Sequence, residues 1–220
     1  MVIPIIKLCA VSLRELKWDD RLEYTNHHPL ADRGVLWMVD TFPQLVFRPM
    51  DALTASLLYA AGKYCEVMYK VELITDLNGV CLHVSFGLGT TGDGTQFEEF
   101  ASEHRCYPNE YGYGDTAYSG CPDVLTNYEP IPQGTRPSIP ITPTEKAFNE
   151  NMNRVRARIE HSVAEHRRGR MMFNTKFRGD PALLKAAHFL IAHANRRARR
   201  VSGPKYDLSD APYGPHGSIY

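Results

Sequence analysis

The segment KVELITDLNGVCLHVSF, residues 70–86, constrains the fold of this chain more than any other stretch. Two runs rich in apolar and β-branched residues flank Asn78-Gly79, the pair that best tolerates the positive φ of a tight hairpin turn. The runs are therefore predicted to pair antiparallel, which excludes an all-helical fold. The glycine pattern that follows, GLGTTG (87–92), matches Gly-x-Gly-x-x-Gly, which cradles a pyrophosphate when it links a parallel strand to a helix. A strand belonging to an antiparallel hairpin does not meet that requirement. The glycines read better as a sharp turn, and dinucleotide binding stays a minority reading. It would need a parallel strand after residue 94 beside the strand at 80–86.

The remaining elements follow from local signals. VLWMVD (35–40) reads as a buried strand, and QLVFRP (44–49) as a separate edge strand stopped by Pro49. TQFEEFASEH (95–104) is an amphipathic helix, while EYGYGD (110–115) and DVLTNY (123–128) are strand-like. A Gly/Pro-rich loop spans 129–142. Thr142, Pro143 and Glu145 then form a capping box that opens a long helix reaching to about Gly169. Asp180-Pro181 opens another, with arginines at its end to suit the helix dipole. This order predicts an α/β fold, a mixed sheet flanked by helices, over residues 35–200. Residues 1–34 form a segment ahead of it, and 201–220 a loose tail.

The 220 residues suit one domain with a substantial core. Formal charge sums to zero, but residues 1–144 carry 10 Lys and Arg against 18 Asp and Glu, a net −8, and residues 145–220 carry 15 against 7, a net +8. Such asymmetry suits a basic surface for polyanions, although a merely dipolar surface has the same composition. The five cysteines have neither CxxC nor zinc spacing, which fits a reducing compartment. Lys7 interrupts the first apolar run, so it does not read as a signal peptide, and no run approaches the roughly 20 apolar residues of a membrane span. The expected location is nuclear or cytoplasmic, with no membrane association.

The helix segment RVRARIEHSVAEHRRGR (154–170) concentrates six arginines, Arg154, Arg156, Arg158, Arg167, Arg168 and Arg170. Val155, Ile159 and Val163 make its apolar seam, and Glu160 falls roughly 95° from the centre of that seam. Taken alone, Glu160 is best read as the i, i+4 partner of Arg156. Two strand-end aspartates change the balance. Asp40 closes VLWMVD, and Asp115 closes EYGYGD behind Gly114. Three carboxylates brought to one place suit Mg²⁺, which takes a few carboxylates plus water and phosphate oxygens. The arginines would then hold a phosphate backbone.

VLWMVDTFPQLVFRP, the hairpin region from Tyr59 to Phe100, YGDTAYSGCPDVLTNYEP and FNENMNRVRARIEHSVAEHRRGRMMF together resemble the DDE-type transposase/nuclease domain of the PIF/Harbinger group. The most specific matches are Gly-Asp-x-x-Tyr at 114–118 and Arg-x-x-Ile-Glu-His ending at His161, and the resemblance covers about residues 35–175. It implies an RNase H-like fold and a metal-dependent DNA endonuclease or transposase. Asp40, Asp115 and Glu160 would be the catalytic and metal-binding acids, using two Mg²⁺ or Mn²⁺ ions. It further implies a supporting, non-coordinating role for Asp93, DNA contact or a helix-face hydrogen bond for His161, and packing behind the Asp115 turn for Tyr118. Thr41 and Ala117 stand where the family commonly has glycine. The family's domain usually follows a helical DNA-binding region, for which residues 1–34 are too short. The implied partners are DNA and a separate Myb-like DNA-binding protein. A catalytically silent descendant that binds DNA or protein is the alternative.

Overall fold

A computed structural model describes Trp18 and residues 21–24, 34–133, 136–167 and 176–202. In chain order the elements are helical turn α1 (Arg21–Tyr24), strand β1 (Val35–Leu45), helix α2 (Ala52–Leu58), β2 (Tyr59–Ala60), β3 (Glu66–Asp76) and β4 (Cys81–Leu88). Helix α3 (Asp93–Glu103), β5 (Tyr111–Tyr113), a 3-10 turn (Thr116–Tyr118) and β6 (Val124–Leu125) follow. The small pair β7 (Ile131–Gln133) and β8 (Arg136–Ile139) precedes the long helices α4 (Pro143–Arg167) and α5 (Pro181–Ser202).

β3 pairs antiparallel with β1 along one edge, and with β4 along the other, β2 joining at its start. β5 lies parallel to β1, and β6 parallel to β5. The product is a mixed six-stranded α/β sheet flanked by helices, compatible with an RNase H-like fold. The strand after α3 pairs with β1, and among the described residues β4 pairs with β3 alone, in antiparallel sense. The parallel unit that dinucleotide binding requires is therefore absent there. The glycines serve packing instead: a Cβ on Gly87 would collide with the Gln96 amide at 2.2 Å, and one on Gly89 with the Leu58 carbonyl oxygen at 2.1 Å.

The β3–β4 hairpin forms as expected, but by a different turn. Gly79 N donates to Asp76 O, Asp76 N donates to Val80 O, and the Asp76 carboxylate accepts from Asn78 N and Val80 N. Gly79 has φ of 77°, whereas Asn78 is not among the residues of positive φ. The asparagine therefore sits in an ordinary turn conformation, and glycine alone supplies the left-handed residue. A register shift between Ile74 and Thr75 takes up the extra length.

The expected pair of strands at 35–40 and 44–49 is one continuous strand, β1, and beyond it Val46 N donates to Val67 O at 3.0 Å while Val46 bridges Phe177. Pro43 does not break the strand because β5 pairs no further than Met38, leaving an open edge where a missing N–H costs nothing. Helix α2, capped by Asp51 Oδ2 accepting from Thr54 N at 2.7 Å, lies in a stretch for which the sequence predicts no element, and the β7–β8 pair lies in the loop expected at 129–142. The capping box at Thr142 is present: Thr142 N donates to Glu145 Oε2 at 2.6 Å and Glu145 N to Thr142 Oγ1 at 3.2 Å. Helix α5 continues through Ser202, past the expected start of the tail at Val201.

Each face of the sheet has its own core. Met38, Phe42, Val71, Leu73 and Val84 meet Met152, Val155, Ile159 and Val163 of α4 and Ala192 of α5. On the opposite face Trp37, Val39, Ile74 and Leu82 meet Phe97 and Phe100 of α3, with Tyr118 and Trp18. The early part of the chain thus contributes to the core, and Arg21 is fully buried in a salt bridge to Glu110. His166 of α4 and His188 of α5 meet at 2.8 Å, and burial holds them down to pKa values of about 4 and about 2. Among the described residues no helix is long and apolar enough to cross a membrane.

Candidate active site

β1 and β5 run side by side in the same direction, and then the chain leaves them toward opposite edges of the sheet. The crevice beyond their C-terminal ends is a topological switch point, where open α/β sheets bind ligands. Asp40 lies just past the last β1–β5 pair, Met38 with Tyr113, and Asp115 lies just past the end of β5. Helix α4 packs its Met152–Val155–Ile159–Val163 seam on the Asp40 face and brings Glu160 to the same region.

Asp40 accepts a hydrogen bond from Thr41 N at 2.9 Å. Its pKa is pushed up to about 6, first by burial and then by the negative charges of Asp115 and Glu160, while Arg156 pulls it down. Acids from a loop and a helix thus bear on one buried strand carboxyl. Asp115 Oδ1 accepts from Ala117 N at 2.9 Å and caps the 3-10 turn. Gly114 lets that turn close, since a Cβ there would meet the Tyr118 ring at 2.8 Å. Glu160, whose side chain is 58% exposed, leans toward Arg156, with Nε 3.5 Å from Oε1. The pairing read from the helix spacing is therefore present in the fold.

Among the described residues no three His, Cys, Asp or Glu side chains are gathered to hold a metal ion. In kind, the donors suit a hard cation: Asp40 is desolvated, with Asp115 and Glu160 acting on it against the positive charge of Arg156. Asp40 and Asp115 are of the kind that would hold a divalent ion taking one or two carboxylates and water, and Glu160 would have to leave Arg156 to join them.

The other expected residues are dispersed. Asp93, first residue of α3, accepts from Lys70 Nζ at 2.8 Å. Tyr118 is fully buried, and its hydroxyl shares a 2.6 Å hydrogen bond with Thr41 Oγ1, which gives the threonine at position 41 a structural task. His161, Arg154 and Arg167 are exposed on α4. Arg158 Nη1 donates to Leu77 O at 2.8 Å, so that arginine ties α4 to the hairpin turn. Arg168 and Arg170 lie outside the described residues.

Sequence reasoning missed the polar stripe that leads to the acids. Asn149, Asn153, Arg156 and Glu160 recur at intervals of three or four on α4, the signal that could have revealed it. Asn149 holds both backbone groups of Tyr128, with Oδ1 accepting from N at 2.8 Å and Nδ2 donating to O at 2.9 Å. Asn153 Oδ1 accepts from Asn127 Nδ2 at 2.9 Å, and Tyr113 OH donates to Asn127 Oδ1 at 2.7 Å. Burial pushes the Tyr113 hydroxyl up to about 12, with Arg156 lowering and Asp115 raising it, so this network borders the acids. Glu72 was missed as well. It is fully buried beneath α3, and nothing in its local sequence distinguishes it from an exposed strand acid.

No protein-family model, curated protein or solved structure matches the chain.

Proposed function

We propose that this chain is a metal-dependent DNA endonuclease or transposase catalytic domain of the Harbinger type, cleaving phosphodiester bonds in the nucleus or cytoplasm. The observation that carries the reading is the placement of Asp40 and Asp115 just past the C-terminal end of the parallel pairing of β1 with β5, with α4, which bears Glu160, packed on the Asp40 face. Asp40 and Asp115, joined by Glu160, are the residues that would hold two Mg²⁺ or Mn²⁺ ions. Such ions, when bound, activate a water and stabilise the leaving oxygen. Arg156 offsets the carboxylate charge of Asp40 and Glu160, and would turn to a scissile phosphate once released from Glu160. Exposed Arg154 and Arg167 supply further phosphate contacts, which position the strand without reading its sequence. Target choice falls to a separate Myb-like partner.

The test is nicking of supercoiled or end-containing DNA in Mg²⁺ or Mn²⁺ by the full chain and by Glu160→Gln. The amide keeps the shape but not the charge a hard cation needs, so nicking should vanish while the fold and most DNA binding persist. A second reading, a silent DNA- or protein-binding module, is favoured by the Arg156–Glu160 ion pair and the absence of a gathered three-ligand cluster among the described residues. Calorimetric titration with Mn²⁺ separates the two. Binding that is lost in Asp40→Asn and Asp115→Asn supports the enzyme, and no metal binding together with no nicking assigns the module.

A further inference from the structure

A cleft of about 380 Å³ opens beside the acids, lined among others by Thr116, Ser119, Leu125, Thr126, Tyr128 and Phe148. We propose that it receives one unstacked nucleobase of the DNA strand that reaches Asp115. The inference rests on the nuclease reading and names the form of substrate that site takes.

The first argument is the ring at its mouth. Tyr128 is 49% exposed, so part of its ring is open to a ligand. Its orientation is fixed: Phe148 packs edge-on at 5.3 Å between ring centroids, and Asn149 grips its backbone on both sides. A rigid, half-open aromatic face is the platform on which bases stack without regard to sequence.

The second argument is chemical. Thr116, Ser119, Thr126 and Asn127 offer hydroxyl and amide groups to a base edge, while Val124, Leu125 and Phe148 supply apolar walls. Among the described residues no Lys or Arg lines the cleft, and Glu129 does. A neutral planar ring is suited to that lining, and a phosphate is not. The charged part of the ligand must therefore lie outside, which suits one base of a strand whose phosphates run along the arginine-bearing α4. The third argument is placement. Thr116 and Ser119 belong to the turn that Asp115 caps, and Asn127 joins the cleft to Tyr113 and Asn153 beside Arg156. A base lodged there turns its own backbone toward the acids, much as base-flipping enzymes expose theirs.

The experiment is fluorescence anisotropy of a labelled single-stranded oligonucleotide with the full chain in EDTA, so the readout is independent of cleavage. Tyr128→Ala should weaken binding by roughly 5- to 150-fold, the range of one lost base–aromatic stack, and Tyr128→Phe should restore it. Moving one abasic position along the oligonucleotide should weaken the unmodified protein by a similar factor at one place. It should cost Tyr128→Ala nothing further. Should Tyr128→Ala lose its melting transition, Ser119→Leu, which fills the cleft from an exposed position, takes its place with the same expected losses. Unchanged affinity in the cleft variants, or an abasic penalty equal in variant and unmodified protein, overturns the proposal. So does competition by dAMP at concentrations that match the oligonucleotide, because the site would then take a free nucleotide. A protein that stacks a base but fails to nick loses only the nuclease reading, and one that nicks without stacking loses only this one.

Discussion

Arg156 and Glu160 face each other across one turn of α4, Nε 3.5 Å from Oε1, and act on the Asp40 carboxyl with opposite signs. Arg156 stabilises the ionised form of Asp40 and Glu160 opposes it, against a background of burial that dominates both. The Asp40 carboxyl, at about 6, should therefore move above that value in Arg156→Gln and below it in Glu160→Gln. Carbon-detected NMR titration of the Asp40 carboxyl reads both shifts. Loss of the partly exposed pair itself should cost at most about 1 kcal/mol, so a large drop in stability in Glu160→Gln would assign that residue to the fold rather than the site.

The α4 arginines should separate into two groups. Arg154 and Arg167 are exposed, and replacing either with Ala should flatten the dependence of log affinity on log salt by about one unit for each phosphate contact removed. Arg158 is spent on the Leu77 carbonyl, so Arg158→Ala should lower the melting temperature and leave the salt slope alone. DNA titrations from low to moderate salt check this. A slope that changes only for Arg158 would reverse the assignment.

Glu72 gives the domain a built-in sensitivity to alkali. Ser85 donates to Oε1 at 3.2 Å, Oε2 has no hydrogen-bond partner among the described residues, and burial, with Asp93 and Glu99 adding negative charge, raises the carboxyl from 4.5 to about 8. A folded-state pKa above the unfolded value means the folded protein binds the extra proton. The contribution to stability is thus full below about 4.5 and lost as pH climbs through about 8. Glu72→Gln, neutral at every pH, should unfold at higher urea than the unmodified protein at pH 9 and show a shallower decline from pH 5 to 9.

Arg21 and Glu110 form a bidentate pair with both side chains buried, Nη2 to Oε2 at 2.7 Å, and the guanidinium stacks 4.1 Å from the Trp18 ring. Arg21→Met should cost about 3–5 kcal/mol because it strands a buried carboxylate. The double change Arg21→Met with Glu110→Leu should recover part of that loss. Chemical denaturation of the three proteins is the measurement, and a mild single-mutant effect would place the pair in contact with water.

Much of this architecture was legible from local chemistry. Asn78-Gly79 announced the hairpin, Thr142 and Glu145 announced α4, and the i, i+4 spacing announced the Arg156–Glu160 pair. Each of those signals is complete within a few residues. What escaped was decided across the fold. The strands expected at 35–40 and 44–49 join through Pro43, which is tolerated because β5 stops at Met38, and the α2 stretch ALTASLL carries too few periodic positions to declare a helix. Glu72 and Arg21 read as surface charges because Ser85, Gln96 and Glu110, which make their burial tolerable, are distant in sequence. Asp40, Asp115 and Glu160 could be named from sequence, but their mutual influence depends on the parallel docking of β5 and on the register of α4.

That docking also sets an order of assembly. β1, β3 and β4 form an antiparallel meander from neighbouring stretches of chain, whereas β5 must close a long loop to lie beside β1. Closing long loops costs entropy before any contact compensates for it, so parallel, non-local pairings form slowly. Asp40 is therefore held by the meander early, and Asp115 and Glu160 reach it late, when β5 and α4 arrive. Pulsed hydrogen exchange during refolding should protect the β3 and β4 amides before those of β5, and the Asp40 carboxyl should feel its neighbours only in the final phase. A chain still emerging from its synthesis would have a finished sheet edge before its three acids had met, and under the proposed nuclease reading it would cut no DNA until its last helices had packed.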